Sequence, residues 1–518
     1  MTSIIQRLKE WFSLDTRSLA VARMGLGLSI VCDLLTRLPD LEWHYSEIGL
    51  IPRSLFMSEV GFPWSFSLHF ANGSMAYVGL LLMVQIFASL AMALGWHTRV
   101  MTAINAILMI SLYNRNWFIN NGGDDVIRAL LILSVFLPWG EMWSVDQWRR
   151  GDGASSPRKV SGPWVLCWFL QVFCIYFLSF ILKTSPIWRS DFTAIYYSSH
   201  LNIFTTWFGH LLRPFPLLLK GLTAYAITAE WLGPAMLSLG FLLPRATWKW
   251  LRGIAVVIFW VLHIGIILTM KIGLFPYYCL FMWLVFVPSE SWAWLDRQWP
   301  LWDNKLRAFF SLLSGPPNLV QMSWRDRKGA RWIEQSLGVF FLLNLFFWNL
   351  STFKPFPVRI PFWITVGRWT HMYQEWNMFA PFPKQEDIWI EVPAVLEDGS
   401  TRELITNDND IFSSKRERFP AAVASEHWRK LYLNIAENDK VARYYAGAWC
   451  RIWNRPIAEG GREPRLKSFE IKVHHHLIAT DYEVTPQQTK VMWKHWCFDR
   501  DLPSNTQASE SWRTAPSQ

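Results

Sequence analysis

Residues 164–183 read WVLCWFLQVFCIYFLSFILK, and this stretch decides the fold class. No charged residue interrupts it before Lys183, and the chain then breaks at Pro186. A helix of about 20 predominantly apolar residues is long enough to cross the hydrocarbon core of a bilayer. The stretch therefore predicts a membrane-spanning helix that ends on a lysine.

The composition extends this prediction to most of the chain. Of 518 residues, 52% are hydrophobic and only 17% are charged, whereas soluble domains carry roughly 25% charged residues. We predict an α-helical polytopic membrane bundle of about nine transmembrane helices, followed by a C-terminal α+β extracytoplasmic domain. The predicted spans are 19–38, 75–96, 99–118, 126–140, 164–183, 221–243, 252–270, 273–289 and 334–352.

The net charge of +10 does not form a nucleic-acid-binding stripe, because the basic residues cluster in particular loops between apolar segments. Loops after predicted spans four, six and eight are rich in lysine and arginine, and with nine spans they share one side with the N-terminus. The positive-inside rule therefore places the N-terminus in the cytoplasm and the C-terminal domain outside. In a bacterium this means a multi-pass protein of the inner membrane with a periplasmic domain.

Four regions follow from these patterns. Residues 1–17 form an amphipathic interfacial helix, 18–352 the membrane domain, 353–501 the α+β domain and 502–518 a disordered tail. Within the α+β domain we expect a hairpin turning at Asp398–Gly399, a helix over 427–453 and a strand over 469–480. Cys450 and Cys497 fall in this domain, and whether they pair is open.

Lys183 has two interpretations. A lysine at the end of a span is often an anchor whose ammonium reaches the headgroups. Odd-numbered spans run outward here, however, so Lys183 lies at the outer face, against the positive-inside bias. Burial in an apolar medium favours the neutral amine, which accepts protons near neutral pH. The alternative is therefore a catalytic base.

Other ionisable side chains lie at membrane depth, and they are expected to face the bundle interior and to pair with one another. A salt-bridged core in which Glu230 or Asp33 pairs with Arg128 explains several of them, and His263 alone fits a buried core histidine. The set is Arg23, Asp33, Arg37, Arg128, Glu230 and His263.

A polar loop precedes the fourth predicted span. It contains Asn120, Asn121, Asp124 and Asp125. One aspartate suits the N-cap of the following helix, because carboxylates stabilise the positive helix end. The crowding of the others indicates a polar pocket above the bundle.

Several stretches in order resemble the HTTM family, the membrane domain shared with vitamin K-dependent γ-glutamyl carboxylases. The resemblance covers roughly residues 15–460. The stretches are ARMGLGLSIVCDLLTRL (22–38), HYSEIGLIPRSLF (44–56), NNGGDDVIRALLILSVFLPWGEMWSVDQW (120–148), YFLSFILKTSPIWRSDFTAIYY (176–197), LHIGIILTMKIGLFPYYCL (262–280) and EWNMFAPFPKQEDIWIEVPAVLEDG (375–399).

The resemblance implies a chemistry. In the carboxylases a lysine deprotonates vitamin K hydroquinone, which reacts with oxygen to give a strong base; that base removes a γ-proton from glutamate, and the carbanion takes up carbon dioxide. The family lysine falls on Lys183, within a context that includes Tyr176 and Trp188, and a family histidine falls on His263. Lys271 is a rival base. The implied cofactor is a vitamin K-like quinol, and the implied enzyme class is a carboxylase-like lyase or oxidoreductase.

The carboxylases carry an Asn-His pair before the fourth span, where this chain reads NNGGDDVIR. The resemblance therefore implies a quinol or lipid-like substrate more directly than it implies carboxylation. The alternative function is a non-catalytic scaffold or assembly factor that binds a protein partner through its extracytoplasmic domain. A transporter is disfavoured, since no inverted repeat is evident.

No metal site is predicted from sequence spacing. The His474–His476 run lies on a predicted strand, where alternate side chains point to opposite faces. Without a further ligand at suitable spacing, a solvated strand face explains the run better than a metal does.

Overall fold

The computed structural model describes residues 4–150, 157–314, 328–353, 358–406, 420, 423–461, 463–479 and 486–498. The predicted tail after residue 502 lies outside these ranges. The helices of the first part of the chain are α1 Ile4–Trp11, α2 Thr16–Arg37, α3 Leu41–Tyr45, α4 Arg53–Leu55, α5 Met75–Leu94, α6 Thr98–Arg115, α7 Gly122–Ser134, α8 Val145–Arg149, α9 Pro163–Leu182, α10 Pro186–Arg189, α11 Ala194–His200 and α12 Trp207–Leu212.

The remaining helices include the longest ones. They are α13 Pro216–Leu239, α14 Arg245–Thr269, α15 Phe275–Leu284, α16 Ser289–Gln298, α17 Trp302–Ser314, α18 Lys328–Thr352, α19 Pro361–Trp369, α20 Glu426–Glu437 and α21 Asp439–Ala458. The strands are β1 Ser13–Asp15, β2 Lys159–Ser161, β3 Glu386–Glu391, β4 Pro393–Leu396, β5 Thr401–Glu403, β6 Leu466–Leu477 and β7 Gln488–Trp496.

Each of the nine predicted spans contains a helix. Among the described residues, five helices are long and apolar enough to cross a membrane by length and composition, and α15 is a shorter apolar helix. The five segments are Thr16–Tyr45, Met75–Leu94, Pro163–Leu182, Arg245–Thr269 and Gly329–Thr352. Helices α6, α7 and α13 occupy the other predicted spans without meeting both criteria, so the count of nine and the orientation stay predictions.

The bundle is centred on two helices. Helix α2 packs against α5 and α15, and α9 packs against α13 and α18. The close approach of α2 to α5 depends on Gly27, where an added Cβ would lie 2.8 Å from the Cβ of Ala93. Small residues at such crossings let helix backbones approach closely, which drives packing between membrane helices.

Helix α1 lies within residues 1–17, the segment predicted to form an amphipathic interfacial helix. Its Trp11 is buried and donates a 2.8 Å hydrogen bond to the Leu237 carbonyl, whereas Ile4 and Ile5 are exposed. Arg7 donates to the carbonyls of Phe241 and Leu243 between α13 and α14. The helix therefore lies across one end of the bundle, with the apolar side chains of its first turn free to contact lipid.

The C-terminal region forms an antiparallel sheet around the long strand β6. Strands β3 and β4 pair with β6 along one edge, β7 pairs along the other, and β5 pairs with β4. The predicted hairpin is confirmed: β4 and β5 flank the turn, and Gly399 has a φ of +84°, a conformation that favours glycine. Strand β6 begins before the predicted residue 469, and β7 was not predicted.

The helical stretch predicted over 427–453 is present, but it is divided into two helices. Asn438 is extended, with φ −143° and ψ 113°, and it separates α20 from α21. Its side chain accepts a hydrogen bond from the backbone N–H of Lys440, which caps the second helix. An asparagine that bonds its own backbone competes with helix continuation, and this is the physical reason for the break.

The C-terminal region and the membrane bundle share one hydrophobic core. Trp428 of α20 packs edge-on against Trp43, and Asn434 donates to the carbonyl of Phe118. Arg429 donates a 2.7 Å hydrogen bond to the carbonyl of Ile203. These contacts place the first helix of the C-terminal region directly against the end of the bundle.

Candidate functional site

Lys183 lies at the C-terminal end of α9, where the following Ser185–Pro186 pair turns the chain. Its ammonium donates to both carboxylate oxygens of Glu230 on α13, with Oε2 at 2.6 Å. It also donates to Ser179 Oγ at 2.9 Å, and it lies 4.7 Å from the ring centroid of Trp188. Lys183 is only 3% exposed. The amine is therefore held inside the bundle rather than extended as an anchor.

The carbonyl end of α9 is closed by Arg189. Its guanidinium donates to the carbonyls of Lys183 and Phe180, at 2.8 and 2.7 Å. Cationic side chains commonly satisfy the last carbonyls of a helix. Arg189 thereby fixes the backbone that carries Lys183, and the lysine is left to bond with Glu230.

A second polar pair lies on the same face of α9. Tyr176 precedes Lys183 by seven residues, two helical turns or about 10 Å along the axis. Its hydroxyl lies 2.7 Å from Nε2 of His263, which is buried on α14. The rings of Phe259 and Phe275 flank the imidazole. Two separate polar pairs, Lys183–Glu230 and Tyr176–His263, thus lie along one face of α9 within an apolar surrounding.

The polar loop before α7 is engaged in its own structure. Asn121, rather than Asp124 or Asp125 as predicted, is the N-cap, and Asp124 completes a capping box by accepting from the Asn121 N–H at 2.8 Å. Asn120 donates to the Tyr113 carbonyl. These bonds serve the loop and the helix start, whereas Asp124 and Asp125 also bind Arg37 and Arg128; none of the loop's described bonds reaches Lys183.

The predicted pairing of Arg128 with Glu230 or Asp33 is wrong. Arg128 pairs with Asp125 at 2.8 Å, one turn away on α7. Its guanidinium also lies 4.0 and 4.1 Å from the ring centroids of Tyr113 and Tyr373. A buried charge needs a partner at contact distance. Arg128 therefore pairs with the adjacent Asp125 and with the two tyrosine rings instead of with Glu230 or Asp33.

The other intramembrane charges form two groups. Arg37 pairs with Asp33 at 2.9 Å, binds Asp124, and donates to the Tyr45 hydroxyl. Arg23 is separate, and its guanidinium donates to backbone carbonyls at the opposite end of the helix. The predicted network of Arg23, Asp33, Arg128 and Glu230 is therefore divided into separate clusters.

Two residues of this region were not predicted. Glu426 and His427 form the first turn of α20 and lie against Asp33, with His427 Nε2 4.0 Å from Asp33 Oδ1. The pKa of Glu426 is raised to about 8, chiefly by burial and also by the charges of Asp33 and Asp124, which together outweigh the lowering effect of Arg37 and Arg429. Nearly four hundred residues separate Asp33 from Glu426, so no local spacing joins them.

A model of the HTTM domain matches residues 12–292 of this chain. The chain belongs to the HTTM domain family. The HTTM match covers more than half of the sequence and, together with the five apolar helices, identifies a membrane protein. Searches of curated proteins and of solved structures returned no significant match.

The HTTM match includes both polar pairs on α9 and the Arg37 cluster, whereas Glu426, His427 and the five-stranded sheet lie beyond it. Within the HTTM domain, Trp188 is buried beside Lys183 and donates to the Phe379 carbonyl. Lys271, the rival base, has an exposed side chain. Among the two lysines proposed as bases, only Lys183 is enclosed.

Proposed function

We propose that this HTTM protein is a membrane enzyme in which Lys183 accepts a proton from a quinol or lipid-like molecule at the outer face of the membrane. The observation that carries the proposal is the enclosed amine of Lys183, paired with Glu230 under the ring of Trp188. A lysine that only anchors the helix to the headgroups would extend toward water and would not pair with a carboxylate inside the bundle.

The pair suits proton transfer for a physical reason. Removing two ions from water costs several kcal/mol per ion, and their attraction only partly offsets that cost. Glu230 lies within hydrogen-bond distance of the amine, so it can take the proton that Lys183 must give up before it acts as a base. A hydroxyl donor placed beside the neutral amine gives up its proton to Lys183, and general-base assistance of this kind accelerates a reaction by about 10²–10⁴-fold.

Access from the lipid is supported by the position of Glu230. The neighbouring Trp231 is exposed on the outer surface of α13, and the Glu230 side chain itself is 14% exposed, against 4% for that of Lys183. The carboxylate side of the pair thus lies nearest the apolar surface of the bundle. A lipid-soluble quinol arriving between α9 and α13 would meet this side first.

The placement of the site at the outer face is supported by the disulfide between Cys450 and Cys497, which joins α21 to the residue after β7. Disulfides persist in oxidising compartments such as the bacterial periplasm. This agrees with a cytoplasmic N-terminus and an extracytoplasmic C-terminal domain, in the inner membrane of a bacterium.

The second candidate function is a scaffold that binds a protein partner. It is favoured by an open cleft of about 540 Å³ on the C-terminal region, next to the edge strand β3. Exposed Phe382 and Leu477 supply apolar surface there, beside Lys384 and Glu386. Aromatic anchors flanked by charges are common in protein interfaces.

The two functions are separated by an activity assay. The full-length protein in lipid nanodiscs is supplied with reduced vitamin K, and oxygen consumption and oxidised quinone products are measured. We expect turnover that falls by about 10²–10⁴-fold in Lys183→Ala. Lys220→Ala is the matched control, since Lys220 is exposed on the same helix as Glu230. Loss of turnover in Lys271→Ala with activity retained in Lys183→Ala would contradict the assignment.

A further inference from the structure

The start of α20 and the C-terminal end of α2 bring together three side chains of metal-ligating types. One ligand atom each from Asp33, Glu426 and His427 lies within 4.8 Å of the other two. We propose that these three residues bind a divalent transition-metal ion of the class of Zn²⁺ or Mn²⁺, at the junction between the HTTM domain and the C-terminal region. The site is distinct from the Lys183–Glu230 pair and does not depend on the function proposed for it.

The imidazole of His427 is the first observation that supports a metal site. His427 is 1% exposed, and within the part of the chain that the structure describes neither ring nitrogen has a hydrogen-bond partner. Buried polar groups are nearly always satisfied, and one that is not calls for an explanation such as an ion. Nε2 points toward Asp33 Oδ1, at 4.0 Å.

The carboxylate of Glu426 is the second indication. Its Oε2 is buried and also lacks a hydrogen-bond partner among the described residues. The two nearby guanidiniums are engaged elsewhere, because Arg37 bonds Asp33 and Asp124 while Arg429 bonds the Ile203 carbonyl. Glu426 therefore has no direct counter-ion in the described structure, which a bound cation would supply.

Room for the carboxylate is made by Gly273, in the turn between α14 and α15. Its φ is +70°, and a Cβ at this position would overlap the Glu426 carboxylate. Only glycine combines this left-handed conformation with so close an approach. The loop is thus shaped around the Glu426 side chain.

The ligand types select the metal class. One imidazole nitrogen with two carboxylates suits Zn²⁺ and Mn²⁺, whereas all-oxygen sets suit Mg²⁺ and Ca²⁺. Bonds of about 2.0–2.2 Å to zinc put neighbouring ligand atoms about 3–3.5 Å apart, so small side-chain shifts close the present spacing. Arg37 donates a hydrogen bond to Oδ2 of Asp33, so Oδ1 is directed toward His427. Hydrogen bonds from residues around a metal site commonly orient its ligands in this way.

The test uses the full-length protein in nanodiscs after treatment with a chelator. Zn²⁺ and Mn²⁺ are titrated separately by calorimetry, and bound metal is counted by mass spectrometry. We expect one ion per chain, with affinity at least about tenfold lower in Glu426→Gln and His427→Asn. The matched control is His475→Asn, which removes a histidine that pairs with Glu386 on the sheet. It should bind like the parent protein.

Absence of saturable binding by either ion would overturn the proposal, as would unchanged binding in both site variants or loss confined to His475→Asn. If a variant does not fold, X-ray absorption on the zinc-loaded parent protein decides the question. A first shell of nitrogen and oxygen that includes imidazole supports the site. A sulfur shell near 2.3 Å would assign the metal to cysteines instead.

Discussion

At the scale of single residues, Lys183 and Glu230 depend on each other. Lys183 is buried and Glu230 is partly buried, and each has its charged partner on another helix; Ser179 adds a further hydrogen bond to the amine. Breaking one side of such a pair leaves an uncompensated charge in an apolar surrounding, which costs about 3–5 kcal/mol.

Glu230→Gln should therefore lower the free energy of unfolding by roughly 3–5 kcal/mol, because the Lys183 ammonium loses its counter-ion. The double variant Lys183→Met with Glu230→Gln should recover much of that loss, since no charge then remains buried. Denaturant unfolding in a single detergent measures both. Equal destabilisation in the single and double variants would mean that the two residues are not coupled.

The Tyr176–His263 pair makes a second residue-scale prediction. Tyr176→Phe removes the hydroxyl that lies 2.7 Å from the imidazole and leaves a buried nitrogen unsatisfied. The expected destabilisation is about 1–3 kcal/mol, measured by thermal unfolding. Phe177→Leu, a neighbouring substitution on the same helix without that bond, serves as the control. A stability unchanged by Tyr176→Phe would show that the bond contributes nothing.

The sequence indicated Lys183 and His263 because ionisable residues are costly at membrane depth and therefore stand out. It did not indicate which carboxylate pairs with Lys183. That pairing depends on how the helices rotate and cross, and a single sequence does not determine either. Glu426 and His427 were missed for a related reason. They belong to an ordinary amphipathic helix, and only the docking of α20 onto the bundle places them beside Asp33.

At the scale of elements, the capping box of α7 fixes where the fourth predicted span begins. Asn121 accepts from the Gly123 N–H, and Asp124 accepts from the Asn121 N–H. Asn121→Ala should lower stability by about 1 kcal/mol, whereas Asn121→Ser keeps a capping oxygen and should stay near the parent value. Thermal unfolding of the two variants side by side is the measurement. Equal effects of alanine and serine would contradict a capping role.

The apolar runs in the sequence predicted which helices exist, whereas local hydrogen bonds determine where those helices begin and end. The nine apolar segments all contain helices, because a helix satisfies the backbone hydrogen bonds of a long apolar run inside a membrane. The break at Asn438 and the N-cap at Asn121 depend instead on one side chain bonding its own backbone. Asparagine permits that bond but does not require it, so the pattern alone did not locate these ends.

At the scale of the whole molecule, the disulfide joins the second helix of the C-terminal region to the sheet. Cys450 and Cys497 close a loop of 47 residues. Replacing both by serine should destabilise the C-terminal region by about 2–5 kcal/mol, because the unfolded chain regains the freedom that the link removes. Limited proteolysis without reductant measures the change, with Cys32→Ser as a control. Equal protease resistance in the parent and the double variant would contradict it.

The predicted orientation of the chain can be tested by labelling. If the three basic loops and the N-terminus face the cytoplasm, a membrane-impermeant reagent added outside intact cells should label a cysteine introduced at Ser400, and should not label one at Lys9. Both positions are exposed, and Ser400 lies in the β4–β5 turn. Labelling of Lys9→Cys alone would invert the assigned topology.

Whether Lys183 binds a quinol is tested by a density map of the protein in nanodiscs with reduced vitamin K, examined around Lys183. We expect an elongated density in contact with the Lys183 amine, beside Trp188 and with Glu230 still within bonding distance. It would be contradicted by a Lys183 side chain that extends to the headgroups, with the space between α9 and α13 filled by side chains alone.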